Sequence, residues 1–320
     1  MTKRELLCVG SAIADIIAWP VDSSVLAHAH LHAEKIILGP GGCGGNLSIG
    51  VAALGHQVDL IAKVGEDYLG RMLRDELHQR GVGLSRLVVD PEDETGRTLV
   101  LVDTTGERRF VYAPGANAHL CSRDLADIPL SDYRALHISD IFLLPLLEAN
   151  PLVNLLQSAR RAGCHTSLDT IWDGSGRWLA SLEPYLPLLD LLFVSEEEAE
   201  HIFPELSPER QVDRFLEMGV GRVILKRGAR GCVVGSGDLR ECVCPAEARP
   251  VDTTGAGDAF AAGYLAGYLE GLSPLDAARA GTMFAVHSLG YLGATKGMGR
   301  HASVAAFTAS MDPTCLLPKT

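Results

Sequence analysis

The segment of this chain best suited to chemistry is a glycine turn followed by an aspartate, Gly255-Ala256-Gly257-Asp258. A turn that opens a helix points several backbone N–H groups at one spot, and the helix dipole makes that spot attractive to an anion. A carboxylate beside such an anion hole can take a proton from a hydroxyl group that attacks a phosphoryl group. The segment therefore indicates phosphoryl transfer with Asp258 as the base. An ordinary glycine turn with Asp258 as a helix-start residue fits the same residues.

A second glycine-rich segment, Gly39 to Asn46, precedes an apolar helical pattern. Its first, third and sixth residues match G-x-G-x-x-G, which leaves a dinucleotide-binding oxidoreductase as an alternative. In that class an acid ends the second strand, whereas the candidate acid here, Asp59, begins its predicted strand, Val58–Val64. Gly42 instead allows close backbone approach to a ligand, and Asn46 can supply amide hydrogen bonds at the helix start. A glycine loop that serves only packing is the other interpretation.

The elements that would position these residues follow an alternating pattern. A buried strand is predicted over Leu6–Gly10, and strand and helix patterns alternate from residue 131 onward. This alternation predicts an α/β fold with a doubly wound, mostly parallel sheet flanked by helices. Ligands bind such sheets at the carboxyl ends of the strands. Five polar residues fall just past predicted strands: Asp15, Asp140, Asp169, Ser195 and Lys226.

A hairpin interrupts the α/β pattern. The segments Gly96–Val102 and Glu107–Tyr112 are rich in β-formers and flank a turn around Gly106. We therefore expect one domain over residues 1–320 with a small β-sheet lid, formed by about 12–40 and 94–115. Three arginines lie on the lid: Arg97, Arg108 and Arg109.

The composition narrows the class of protein. Lys and Arg number 28 and Asp and Glu 40, so the formal net charge is 28 − 40 = −12, which argues against a broad nucleic-acid surface. The eight cysteines lack a paired zinc-site spacing, and a chain of this size needs no disulfide scaffold. The first residues lack a signal-peptide layout, and no uncharged apolar run reaches membrane-spanning length. We expect a cytoplasmic protein that binds neither nucleic acid nor membrane.

Several catalytic motifs are absent from the sequence: the P-loop, the protein-kinase motifs, G-x-S-x-G and H-E-x-x-H. Phosphoryl transfer would therefore need another phosphate cradle. Two segments together resemble the ribokinase-like, or PfkB, family of carbohydrate kinases. They are Gly41–Asn46 with the following Ala-Leu-Gly, and Asp252–Phe260 with Gly263. Shorter glycine motifs fall in the family's order and spacing, so that the resemblance covers essentially the whole chain. They are Gly65-x-Asp67-x-x-Gly70, Gly228-x-x-Gly231 and Gly293-Ala294.

The resemblance implies a homodimeric, ATP-dependent kinase that phosphorylates a hydroxyl group of a sugar or polyol, with the lid strands at the dimer contact. It implies that Asp258 is the general base and contacts the substrate. The anion hole would be the backbone of Gly255, Ala256 and Gly257. The substrate hydroxyls would be held by Asp15, Gly42 and Asn46.

The resemblance also implies nucleotide and metal positions. The nucleotide would contact Ser195, Lys226, Gly228, Gly231 and Gly257. Glu198 would help to organise Mg²⁺ through water. A monovalent cation such as K⁺ would bind behind the anion hole at Asp252 and Thr254.

Two positions depart from the family pattern. Ser195 replaces the Asn of N-x-x-E, and Ile13 replaces a polar residue two before the first Asp, which puts ribose itself in doubt. A neutral sugar is expected, because the segments Gly10–Asp15 and Gly41–Asn46 contain no Lys or Arg that would offset the repulsion of an anion by Asp15. The lid arginines leave a sugar phosphate open, a nucleoside is a further alternative, and a sugar-binding sensor without catalysis is another.

Overall fold

The computed structural model describes residues 3–22, 32–103, 108–245, 248 and 250–311. The strands are β1 (Arg4–Val9), β2 (Ile13–Val21), β3 (Lys35–Gly41), β4 (Val58–Ile61), β5 (Lys63–Gly65), β6 (Val88–Asp90), β7 (Arg97–Asp103), β8 (Arg108–Ala113), β9 (Tyr133–Ile138), β10 (His165–Asp169), β11 (Leu191–Ser195), β12 (Val223–Lys226), β13 (Cys232–Ser236) and β14 (Leu239–Val243). The helices are α1 (Cys43–Ala53), α2 (Tyr68–Gln79), α3 (Asn150–Arg161), α4 (Leu179–Leu182), α5 (Glu196–Ile202), α6 (Pro208–Glu217), α7 (Ala256–Leu269), α8 (Pro274–Ser288) and α9 (Val304–Ser310).

The main sheet has eight strands in the order β14-β13-β12-β11-β10-β9-β1-β4. The strands from β12 to β4 pair in parallel, and β13 and β14 pair antiparallel at one edge. Successive residues of β1 alternate between two hydrophobic clusters: Leu6 and Cys8 belong to one, Leu7 and Val9 to the other. That alternation is the period of a strand covered on both faces. The predicted doubly wound α/β fold is confirmed.

A separate four-stranded sheet, called the small sheet here, has the order β3-β2-β7-β8. Its strands come from the two segments that the sequence assigned to a lid, while residues 104–107 of the predicted hairpin turn lie outside the described residues. One face, the inner face, packs Ile17, Val100 and Val102 against Leu292. The opposite face of the small sheet is called the outer face. The small sheet therefore sits against the segment that follows α8.

One strand prediction was wrong at its end. The predicted strand Val58–Val64 is two strands, because the chain leaves the main sheet after Ile61 and β5 pairs with β6 in a two-stranded sheet. There Lys63 forms an ion pair with Asp124 at 2.9 Å. No helix in the described part of the chain is long and apolar enough to cross a membrane.

Candidate active site

The glycine turn before Asp258 begins helix α7. Gly255 has φ 73°, and a Cβ there would lie 2.6 Å from the Ala294 Cβ. Both the left-handed backbone and the close approach require glycine. The turn places Asp258 in the first helical turn, where its side chain is buried and the free backbone N–H groups of α7 begin.

The two glycine-rich segments meet at a side-chain hydrogen bond. Asn46 lies in the first turn of α1 and donates from Nδ2 to Asp258 Oδ2 at 2.8 Å. The turn before α1 depends on Gly42, whose φ is 82° and whose Cβ would lie 2.6 Å from Ser11 Oγ. Asn46 Oδ1 is buried and has no hydrogen-bond partner in the described part of the chain. It is therefore free to bind a ligand hydroxyl beside Asp258.

Asp15 reaches the same place from the small sheet. It is the third residue of β2, is 6% exposed, and its carboxyl group lies against Gly41. The prediction that Asp15 falls just past a strand was wrong, because the residue lies inside β2 and pairs with Gly39 in the small sheet. The two sheets share one site.

The carboxyl groups of this site have raised pKa values. Burial, and then the charges of Asp258 and Asp252, raise the pKa of Asp15 to about 7. Burial also raises the pKa of Asp258 to about 6; the charge of Asp140 adds to this, and hydrogen bonds from Asn46 and Cys43 oppose it. A base with a pKa near 6 is ionised at neutral pH and remains basic enough to accept a proton.

Two further residues lie at this site: Asp140, which the sequence placed just past a strand without a role, and Cys43, which sequence reasoning left out. Asp140 Oδ2 accepts from the Ser11 N–H at 2.8 Å, the Ser11 hydroxyl at 2.7 Å and the Gly44 N–H at 3.2 Å. Its Oδ1 is buried without a partner among the described residues. The position of Asp140 just after β9 was the available signal. For Cys43, whose thiol contacts Asp258, the sequence carried none.

A second group of polar residues lies at the ends of β10, β11 and β12. Lys226 Nζ donates to both carboxylate oxygens of Asp169, at 2.6 and 2.8 Å. A methyl group on the Gly257 Cα would lie 3.6 Å from this ammonium, so Lys226 reaches the turn before Asp258. Burial alone would lower the pKa of Lys226, but the charges of Asp169 and Glu198 raise it above its ordinary value. The ammonium is therefore charged at neutral pH.

Ser195 and Glu198 form a capping box at the start of α5. Ser195 Oγ accepts from the Glu198 N–H at 3.2 Å, and Glu198 Oε2 accepts from the Ser195 N–H at 2.9 Å. The Thr170 hydroxyl also donates to Glu198 Oε2, at 2.7 Å. These bonds leave Oε1 as the oxygen that could hold a metal-bound water. Ser195 is directly paired with Lys226 across β11 and β12.

The loop after β12 is joined to α5 by ion pairs. Gly228 and Gly231 have φ 54° and 79°, and they bracket a short 3₁₀ turn. Arg227 Nε lies 3.1 Å from Glu196 Oε1, and Arg230 bonds the other oxygen of the same carboxylate. The two glycines thus lie on a fixed loop beside Lys226.

Asp252 holds the loop before α7 in place. Its Oδ1 accepts from the Thr254 N–H at 2.8 Å and the Thr254 hydroxyl at 2.7 Å, and its Oδ2 accepts from the Gly293 N–H at 2.8 Å. In the described residues, no group of three or more His, Cys, Asp and Glu side chains could hold a metal ion. A cation at Asp252 and Thr254 would therefore need backbone carbonyl oxygens or water as further ligands.

The three arginines of the small sheet point in different directions. Arg108 pairs with Val102 across β7 and β8, so it shares the inner face, and it is half-buried. Burial lowers the pKa of Arg108, and the charge of Asp252 opposes this. Arg109 is exposed, and Arg97 pairs with Glu94.

Known proteins share this architecture and sequence. A fructokinase of Klebsiella pneumoniae is 32% identical over 73% of this chain and 78% of its own length. An uncharacterised sugar kinase of Archaeoglobus fulgidus is 29% identical over 79% of this chain and 99% of its own length. A 2-dehydro-3-deoxygluconokinase of Bacillus subtilis is 28% identical over 85% of this chain and 87% of its own length.

Solved structures confirm the ribokinase-like fold. Ribokinase from Thermotoga maritima has a TM-score of 0.78 and 27% identity, over 96% of this chain and 100% of that chain. Fructokinase from Vibrio cholerae O395, bound to fructose, ADP and a calcium ion, has a TM-score of 0.79 and 22% identity, over 95% of this chain and 99% of that chain. The family described as pfkB family carbohydrate kinase matches residues 3–299. The chain therefore belongs to the pfkB family of carbohydrate kinases, enzymes that transfer a phosphoryl group to an alcohol group.

Proposed function

We propose that this enzyme transfers the γ-phosphoryl group of ATP to a hydroxyl group of a neutral sugar or polyol, with Asp258 as the general base. The observation that carries the proposal is the position of Asp258. Its carboxylate is buried, is held by Asn46 at 2.8 Å, and lies directly after the turn that begins α7. A base and an anion hole at adjacent residues suit attack of a hydroxyl on a phosphoryl group.

The reaction follows from this arrangement. The acceptor hydroxyl gives its proton to Asp258 while its oxygen forms a bond to the γ-phosphorus. The bond from that phosphorus to the β-phosphate oxygen breaks, which leaves ADP. The backbone N–H groups of Gly255, Ala256 and Gly257 bind the charge on the phosphoryl oxygens. Asn46 keeps the Asp258 carboxylate turned toward the acceptor.

ATP would lie along the ends of β11 and β12, against Ser195, Lys226 and the loop at Gly228 and Gly231. The V. cholerae fructokinase, which binds ADP and a calcium ion, supports a nucleotide and a divalent ion in this fold. Mg²⁺ bound to the phosphates would neutralise charge that develops there. Glu198 Oε1 would hold one of its waters.

The selectivity for the acceptor rests on side-chain oxygens that accept hydrogen bonds. Asp15 accepts hydrogen bonds from adjacent hydroxyl groups, and Asn46 Oδ1 is an acceptor without a partner in the described part of the chain. Gly42 allows the backbone to come close to the sugar. A hydroxyl-rich, uncharged ligand fits such a surface. The fructokinases among the relatives support this class of acceptor.

An acidic or phosphorylated sugar is the second candidate. Arg108 is half-buried on the inner face of the small sheet, and no carboxylate lies within ion-pair distance of it in the described residues. A relative named 2-dehydro-3-deoxygluconokinase supports this alternative. An anionic group on the acceptor that extends toward the small sheet would meet the Arg108 guanidinium.

An ADP-release screen separates these candidates. Neutral sugars, polyols, sugar acids, sugar phosphates and nucleosides would be offered with ATP and Mg²⁺, and Asp258→Asn is the control for each positive. The proposal expects the highest kcat/KM for a neutral sugar or polyol. If a sugar acid or sugar phosphate were best, and Arg108→Ala abolished its use while Arg109→Ala did not, the second candidate would replace the first.

We further propose that the small sheet is the lid of the site and the contact of a homodimer. Apolar residues form a continuous strip of cross-strand neighbours on its outer face: Ile16, Leu38, Leu99 and Val111. Leu38, Leu99 and Val111 are 42%, 38% and 61% exposed, which is costly in water. Sedimentation should show a dimer that Val111→Glu dissociates and Glu217→Gln, on α6, leaves intact. A monomeric wild type would contradict the dimer.

A further inference from the structure

We propose that Lys226 is a catalytic residue that contacts the transferring phosphoryl group, and that Asp169 is the residue that positions it. This inference rests on the proposed function, because it assigns the ammonium to a step of that reaction. The sequence and the family resemblance place Lys226 only along the nucleotide.

The position of the ammonium group supports a contact with the anion hole. Strands β10 and β12 lie on either side of β11 and are therefore roughly 10 Å apart. The Lys226 side chain spans that gap past Ser195 to reach Asp169, at 2.6 and 2.8 Å. In this conformation its Nζ would lie 3.6 Å from a methyl group on the Gly257 Cα. Gly257 belongs to the turn whose N–H groups would bind the phosphoryl oxygens.

The hydrogen-bond capacity of the ammonium leaves one donor for a ligand. A lysine ammonium has three N–H donors. In the described part of the chain, the Lys226 ammonium donates two hydrogen bonds, one to each oxygen of the Asp169 carboxylate. The remaining N–H is available on the side of Gly257. A phosphoryl oxygen bound at that turn is an acceptor of the right charge.

Asp169 has a second effect, on the base. The charges of Lys226 and Asp258 attract each other across the site, since each stabilises the ionised form of the other. An unrestrained ammonium would move onto the Asp258 carboxylate and compete with the acceptor hydroxyl for it. The two hydrogen bonds to Asp169 hold Lys226 back from the base and beside the anion hole.

The role in the step follows from where charge develops. As the γ-phosphorus leaves the β-phosphate oxygen and bonds to the acceptor oxygen, negative charge spreads over its remaining oxygens. The ammonium supplies a positive charge and one hydrogen bond there, and it gives up no proton. The proton of the acceptor still goes to Asp258, and ADP still leaves.

The kinetics of a Lys226 variant distinguish a contact made in the transition state from a contact made only with bound ATP. A lysine that only binds ATP would change KM or Kd and leave kcat intact, whereas a contact made in the transition state changes kcat. We expect Lys226→Met to lower kcat by about 10²-fold, the usual cost of one donor in an anion hole. The Kd for ATP, measured by titration calorimetry with Mg²⁺, should change by less than roughly tenfold, since the other nucleotide contacts remain. Lys226→Arg should recover part of the lost kcat.

A double-mutant cycle tests the positioning role of Asp169. Asp169→Asn should lower kcat by roughly tenfold or more, because a displacement of about an ångström is costly. In the Lys226→Met background the same change should have no further effect on kcat. Asp169→Asn leaves the buried Lys226 charge unpaired, so the kcat of each variant is measured below the Tm of that variant. The double variant with Lys226→Met and Asp169→Asn carries no unpaired charge at this pair and serves as the folding control.

Each outcome decides the inference. Wild-type kcat in Lys226→Met, with weaker ATP binding, would overturn the catalytic role of Lys226. Equal losses from Asp169→Asn in both backgrounds would overturn the positioning role. Asp258→Asn in the same series reports on the proposed function separately, because its near-full activity would remove the general base and leave the Lys226 data standing.

Discussion

The two halves of the site differ in whether their carboxylates have a cationic partner: the acceptor half contains Asp15 and Asp258, and the donor half contains Asp169 and Glu196. In the acceptor half, Asp15 and Asp258 are buried, and no Lys or Arg lies within ion-pair distance of either in the described residues. In the donor half, Asp169 is paired with Lys226, and Glu196 with Arg227. Burial raises the pKa of Asp15 to about 7 and that of Asp258 to about 6. Burial also raises the pKa of Asp169 to about 7, although the charge of Lys226 opposes this, so the halves differ in their partners and not in the direction of the pKa shift.

The difference matches the two ligands of a sugar kinase. Unpaired carboxylates seek hydrogen-bond donors, which the hydroxyl groups of a sugar supply. A charged ammonium held beside backbone N–H groups seeks an anion, which a phosphate supplies. Under the proposed function, this contrast would let one cleft bind a neutral polyol and a polyphosphate side by side.

The largest test of the acceptor half removes the base. Asp258→Asn should lower kcat by about 10²–10⁴-fold, the usual contribution of a positioned general base. ATP affinity should change little, because the anion hole consists of backbone N–H groups. Steady-state kinetics and ATP titration measure the two effects. Near-full turnover in this variant would contradict the assignment of Asp258.

The next test removes the carboxylate on the small sheet. Asp15→Ala should lower kcat/KM for the best acceptor by at least about 10²-fold, roughly 3 kcal/mol. The loss arises because the substrate hydroxyls would lose their partner. Slow ATP hydrolysis without acceptor, which depends on the donor half, should stay nearly the same. Equal losses in both reactions would show that Asp15 acts on more than the acceptor.

Stability should change with opposite signs in the two halves. The folded pKa of Asp15 is raised from 3.8 to about 7, so its contribution to stability is present below about pH 4 and is lost as the pH rises through 7. At pH 8, Asp15→Asn should therefore raise the free energy of unfolding, by about 2–4 kcal/mol. Burial raises the pKa of Asp169 as well, to about 7, but Asp169 holds the Lys226 ammonium by two hydrogen bonds. Asp169→Asn should therefore lower the free energy of unfolding by about 3–5 kcal/mol, because Lys226 would remain buried without its partner.

Chemical denaturation at pH 8 and pH 4 measures these changes. The increase in the free energy of unfolding that Asp15→Asn gives at pH 8 should vanish near pH 4, where Asp15 is protonated in the folded state. A destabilising Asp15→Asn at pH 8 would mean that Asp15 has a cationic partner in solution, and the contrast between the halves would not hold.

The pH dependence of kcat/KM tests the same comparison between the two halves, with a smaller expected effect. In the proposed mechanism Asp15 and Asp258 are both ionised, so kcat/KM should be constant above about pH 8 and fall at least about tenfold per unit below about pH 6. Lys226, whose pKa is raised, should add no loss of activity up to pH 9. A profile flat down to pH 4.5 would contradict the raised pKa values.

The smallest expected effect concerns the loop behind the anion hole. Asp252 already binds Thr254 and Gly293, so a monovalent cation would add to an ordered loop. We expect a several-fold loss of activity when K⁺ is replaced by a large organic cation at saturating Mg²⁺. Equal rates in both salts would leave Asp252 as a structural residue alone.

Much of the fold could be predicted from local sequence. The periods of strands and helices, and the order in which they alternate, indicated the doubly wound sheet, because side-chain alternation depends only on neighbours along the chain. The end of one strand was misplaced at Ile61, where the chain changes partner from β1 to β6. Which strand is the partner is not encoded in the local pattern.

The candidate site, like the fold, could be predicted only in part from local sequence. By itself, the sequence determined the two glycine turns and the acid and amide that follow them, because φ above zero and close approach admit few residues other than glycine. Only the tertiary structure brought Asn46 onto Asp258, 212 residues away, and Lys226 onto Asp169, 57 residues away. It also decided that Arg108 faces inward while Arg109 faces outward. These contacts depend on the order of strands in the sheets. That order is set by the packing of the whole chain and cannot be recognised from the sequence near any one of these residues.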